Sequence, residues 1–164
     1  MSYDHRHSSV CRHLARRVLL NVRLQFSRGG IKMATATETP LQVKTLSPSF
    51  TVNDLQKSIR FFEGLGFVVD ERMEEKGVLM GAMMRAGQSE IGLAQDDWKK
   101  GRNRVKGDGT RLYLSTTQNI DQLAERIKKS GISLDTEPRD TEWGTRAFDV
   151  TEPSGFKLTI SSHV

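Results

Sequence analysis

The chain has 164 residues, 36% of them hydrophobic, which suggests one domain with a tail. The net charge of +5 belongs to residues 1–32, where seven Lys/Arg face only Asp4; residues 33–164 hold 18 basic and 19 acidic residues, no footprint for nucleic acid. Cys11, His5, His7 and His13 also lie in the tail and His163 is next to last, so residues 33–162 exclude zinc fingers, Cys–His nucleophiles and Ser–His–Asp triads.

A lone cysteine makes no internal disulfide, so the fold needs no oxidising compartment. No apolar run approaches the length of a membrane-crossing helix. Residues 1–32 are rich in Arg, His and Ser, around an apolar patch at Val18–Leu20, Val22 and Leu24. That composition fits a mitochondrial-type transit peptide, or else untranslated sequence upstream of a start at Met33. Either way the segment is an extension outside the fold, and the expected domain is 42–162.

The first predicted strand ends at Val52, with Leu46, Phe50 and Val52 on one face and Ser47, Ser49 and Thr51 on the other. Asp54 caps a helix whose apolar stripe is Leu55, Ile59, Phe62 and Leu65, and Gly66 ends it. Three strands follow at about 67–75, 78–86 and 89–95, separated by turns at Lys76-Gly77 and Ala86-Gly87. Residues 96–109 are polar and Gly-rich and read as a mobile linking loop.

The pattern then repeats. A strand carries Leu112 and Leu114 on one face and Arg111, Tyr113 and Ser115 on the other. Asn119 caps a helix bearing Ile120, Leu123, Ala124 and Ile127, and Gly131 ends it. Strands are expected at about 132–138, 145–151 and 156–162. Asp54 to Asn119 and Gly66 to Gly131 are both separated by 65 residues, which marks a duplication. The fold class is α+β: two βαβββ modules, about 42–95 and 108–162, pairing into a curved eight-stranded mixed sheet around a cleft.

The stretch Phe50-Thr-Val-Asn-Asp-Leu-Gln-Lys-Ser-Ile-Arg-Phe-Phe-Glu-Gly-Leu-Gly-Phe67 and the module spacing resemble the vicinal oxygen chelate superfamily. That group holds glyoxalase I, extradiol dioxygenases and the fosfomycin- and bleomycin-resistance proteins. Trp143-Gly-Thr-Arg before the Glu152-Pro-Ser-Gly155 hairpin is most similar to the bleomycin-resistance-like, antibiotic-binding branch. Metal-dependent members place ligands at positions that correspond here to Ser47, to Arg111 or Leu112, to Gly92 or Ala94, and to Thr159. None of these is an ordinary metal ligand. Glu90 lies on the same strand face, but one carboxylate does not make a site.

The resemblance therefore implies a metal-independent small-molecule-binding protein without a cofactor, sequestering an aromatic or polar compound such as a drug. It implies a cytoplasmic homodimer whose clefts are assembled across two chains, with no nucleic-acid or membrane partner. The expected ligand-binding residues are Ser47, Ser49, Glu90, Trp98, Arg111, Tyr113, Trp143, Arg146 and Thr159. Arg111 either pairs with an acid such as Glu90 or binds a ligand anion. Arg146 faces the cleft or pairs with Glu142, Trp143 packs a turn or stacks on a ligand, and Trp98 is a candidate lid. Two other readings stay open: a lyase or isomerase using Glu90, Tyr113 or Arg111, and a structural or regulatory module whose cleft its own side chains fill.

Overall fold

The computed structural model describes residues 41–163; the extension at 1–32 lies outside them. The strands are β1 (Ser49–Val52), β2 (Val68–Glu75), β3 (Val78–Ala86), β4 (Ser89–Gln95), β5 (Arg111–Ser115), β6 (Thr136–Asp140), β7 (Thr145–Thr151) and β8 (Lys157–His163). Helix α1 (Leu55–Leu65) follows β1, and α2 (Ile120–Lys129) follows β5. The strands form two four-stranded mixed sheets, ordered β1-β4-β3-β2 and β5-β8-β7-β6, so the duplication is complete in topology. The two sheets share no ladder.

The helices form where their caps and stripes place them. The Asp54 side chain accepts from the Lys57 amide, and Gly66 takes the left-handed φ of +105° that ends α1. Asn119 accepts from the Gln122 amide in the same way. The stripe of α1 buries Leu55, Ile59, Phe62 and Leu65 against Phe50, Val52, Met84 and Leu93. That of α2 buries Ile120, Leu123, Ala124 and Ile127 against Phe148, Val150, Leu158 and Ile160. All belong to one hydrophobic cluster. A fully buried Phe such as Phe62 or Phe148 contributes about 2–3 kcal/mol of transfer free energy.

Two strand expectations shift. Leu46 is 88% exposed and β1 begins only at Ser49, because Pro48 offers no N–H to a ladder and only its carbonyl is used, accepting from Gly92. Residues 132–135 are not strand, and β6 starts at Thr136. Gly131, at φ +86°, turns Ile132 and Leu134 onto the core first, and the β6–β7 pairing is irregular around Pro138.

The modules meet along a mixed seam. The Phe50 and Phe156 rings stack with centroids 4.1 Å apart. The Asn53 amide donates to Ser154 Oγ at 2.8 Å. Glu152, 1% exposed, accepts from Ser58 Oγ of α1 and from the Ser154 amide. Beside this seam, Gly107 of the linking segment passes so close to Gly155 of the second module that a Cβ on Gly107 would clash with the Gly155 carbonyl oxygen.

Candidate functional site

Each sheet has one side covered by its helix and one side free of it. The ladder registers assign the free side of the first sheet. Ser49 pairs with Gly92, Gly92 with Met83 and Met83 with Glu71; Thr51 pairs with Ala94, and Glu90 with Arg85. This face holds Ser49, Thr51, Glu90 and Met83, with Ser47 Oγ 3.5 Å from Glu90 Oε2. Arg85 turns away from Glu90 and pairs with Asp70 at 2.8 Å.

The free side of the second sheet is organised around one carboxylate. Tyr113, Thr159, Asp149 and Thr136 form a continuous row across β5, β8, β7 and β6. Asp149 Oδ1 accepts from Arg111 Nη1 at 2.8 Å and from Thr159 Oγ1 at 2.6 Å. Its Oδ2 accepts from Arg139 Nη2 at 2.9 Å and from Thr136 Oγ1 at 3.0 Å. Burial pushes the Asp149 carboxyl up, but hydrogen bonds from Thr159, Arg139 and Thr136 and the Arg139 charge outweigh it. The group is held below the ordinary carboxylate value. Arg111 is thus partnered by Asp149 and not by Glu90.

Other expected site residues fall in different places. Arg111 points to the free side, while the half-buried Leu112 packs against the core. Tyr113 stands on that face, 76% exposed. Trp143, 82% exposed, sits in the β6–β7 turn. Arg146 is not on this face: it alternates out of the Ala147 row and bonds Asp121 of α2 at 2.7 Å and Asp140 at 2.8 Å. Those bonds raise the Arg146 pKa above its ordinary value, Asp121 contributing most.

The 96–110 segment has no helix or strand, yet it is anchored. The nearly buried Asp96 carboxylate lies 2.5 Å from Lys106 Nζ and 2.6 Å from Arg104 Nη2, and accepts from the Trp98 amide at 2.9 Å. These bonds, Lys106 first, hold the Asp96 carboxyl far below its ordinary value. The Trp98 ring packs under the cations of Arg102 and Lys106, 5.0 and 5.1 Å from its centroid. Trp98 is therefore a half-buried strut of this loop and not a free lid.

The sequence reading missed Asp149, Thr136 and Arg139. The signal was present: in Phe148-Asp149-Val150 a lone acid alternates with core residues, which sends it to the free face. The positions that hold metal ligands in metal-dependent relatives offer a poor donor set. Ser47 has one nearby carboxylate, Glu90. Thr159 gives its hydroxyl to Asp149, whose charge already faces two guanidinium groups. Among the described residues no three His, Cys, Asp or Glu side chains converge. A divalent ion needs several such donors, so these residues do not fit one.

Paired βαβββ modules with two helix-free faces define a class of fold built for a cleft. The family model of the Glyoxalase/Bleomycin resistance protein/Dioxygenase superfamily matches residues 44–160, and the chain belongs to that superfamily. Among solved structures, it is similar to a virulence protein from Salmonella typhimurium, at 24% identity and TM-score 0.56, covering 76% of this chain and 99% of that one. It is also similar to a glyoxalase/bleomycin resistance protein/dioxygenase from Nocardioides, at 18% identity and TM-score 0.61, covering 77% and 87%. A glyoxalase/bleomycin resistance protein from Catenulispora acidiphila matches at 11% identity and TM-score 0.55, covering 73% and 98%. At these identities the likeness shows the fold alone. No match was found among curated proteins. No helix among the described residues is long and apolar enough to cross a membrane.

Proposed function

We propose that this protein binds a small aromatic or polar molecule without a metal ion, in the manner of the bleomycin-resistance-like branch. The observation that carries the reading is the content of the two helix-free faces: Ser47, Arg111 and Thr159 stand where metal-dependent relatives place ligands, with Glu90 and Tyr113 on the same faces. Such a face suits hydrogen bonding and stacking, and binding then needs no proton or electron to move. In this reading Ser47, Ser49 and Glu90 on the first sheet, and Arg111, Tyr113 and Thr159 on the second, contact ligand. Trp143 borders the site, and Trp98 reports on it from the linking loop.

Both helix-free faces of one chain are open, with Ser49, Thr51, Arg111 and Tyr113 all exposed. This favours a homodimer in which each cleft takes one face from each chain. Drug sequestration in the cytoplasm is the role this binding best suits.

The test is a small-molecule screen on the full chain, read by the fluorescence of its two tryptophans and by sedimentation for the dimer. Saturable binding to a dimer, weakened about tenfold or more by Tyr113→Leu, is expected. Chemical turnover of a bound compound, abolished by Glu90→Gln, would overturn the reading in favour of a lyase or isomerase. A cleft that takes no compound would favour a structural module.

A further inference from the structure

Resting on that reading, we infer that the second sheet carries an anion subsite and that the ligand class is a small aromatic carboxylate. An open groove of about 500 Å³ lies between the linking loop and the ends of β5, β7 and β8. Among its lining residues are Lys106, Asp108, Thr110, Arg111, Thr151 and Lys157. Its lining charges are three cations, Lys106, Arg111 and Lys157, against one carboxylate, Asp108. Lys106 pairs with Asp96, which Arg104 also engages. Arg111 shares Asp149 with Arg139, so one carboxylate serves two guanidinium groups. Lys157 has no ion-pair partner among the described residues.

Arg111 and Lys157 are directly paired across β5 and β8, in the same row and on the same face. Like charges set opposite each other in a sheet are destabilising unless something between them is negative. Arg111 uses only Nη1 for Asp149 and Thr159, which leaves its remaining N–H groups for a further acceptor. The opposing charges are Asp108 in the groove and Asp135, which accepts from Thr151 Oγ1 at 2.6 Å. Neither bonds Arg111 or Lys157 among the described residues. A ligand carboxylate between Arg111 and Lys157 would take charge-assisted bonds from both.

The aromatic part follows from Tyr113, two residues along β5 and therefore on the same face. Its ring stands exposed beside the cation pair, a platform for a planar group whose carboxylate reaches Arg111.

The probes are benzoate, its neutral isostere benzamide and inorganic phosphate, titrated into the full chain and followed by NMR of arginine and tyrosine resonances. Benzoate should bind about tenfold more tightly than benzamide, with the difference shrinking in high salt. Lys157→Gln should abolish the preference, Lys157→Arg should keep it, and Tyr113→Leu should weaken both aromatic probes. Equal binding of benzoate and benzamide would overturn the anion subsite while leaving a binding cleft in place. Phosphate binding as strongly as benzoate would overturn the aromatic assignment alone. Silence from all three probes would overturn the inference, and the wider screen would then judge the cleft separately.

Discussion

Replacing Asp149 by Asn removes the one charge that orders the second helix-free face. The carboxylate accepts four hydrogen bonds, from Arg111, Thr159, Arg139 and Thr136, at 2.6–3.0 Å. Breaking a fully buried ion pair costs about 3–5 kcal/mol. Here the arginine side chains are 36% and 52% exposed and rehydrate when released, so the expected loss is about 2 kcal/mol. For a domain of this size that lowers Tm by about 8 °C near neutral pH. The folded-state pKa of Asp149 lies below its ordinary value of 3.8. Its stabilisation is therefore complete above about pH 4 and is lost as pH falls through the lowered folded value. Circular-dichroism melts of both proteins, from neutral pH down to about pH 3, should show a Tm gap that narrows at the acid end. Equal Tm values at neutral pH, or a gap that does not change with pH, would refute Asp149 as the organising group.

Gly107→Ala drives a Cβ to 2.4 Å from the Gly155 oxygen at φ +71°, and should cost about 3 kcal/mol in urea unfolding. Gly109→Ala, at φ +68° in open space, should cost only about 1 kcal/mol; equal costs would contradict a close approach of the linking loop to the Gly155 hairpin. Asp96→Asn releases Arg104 and Lys106, and hydrogen exchange in the 97–106 loop should accelerate while that of β3 and β8 does not. Glu152→Ala strands the buried Ser154 amide, leaves the Ser58 hydroxyl only the Asp54 carbonyl, and should cost about 2 kcal/mol; an unchanged urea midpoint would remove Glu152 from the seam.

The duplication was legible because each module repeats the same physical devices: an Asx cap, an apolar stripe and a terminating glycine at one offset. Strand parity placed Ser49, Tyr113 and Thr159 on the correct faces, since alternation fixes a side once the register is known. It left Arg146 open between the cleft and an ion pair, and it failed for Leu46, where Pro48 stops the ladder. Arg111 could be counted as an inward charge from sequence, but its partner could not. Asp149 lies 38 residues away, and only folding brings the two together. The linker read as mobile because its glycines and charges are those of a loop. Its anchor, Asp96, is one acid among several until Arg104 and Lys106 fold back onto it.

Metal independence is the central claim, and elemental analysis of the full chain with calorimetric titration of Mn²⁺, Fe²⁺, Ni²⁺ and Zn²⁺ tests it most directly. The donor set of Ser47, Glu90, Arg111 and Thr159 predicts no stoichiometric metal and no saturable heat. One tightly held ion per chain, lost in Glu90→Gln, would contradict it and make these faces a metal centre with unusual ligands.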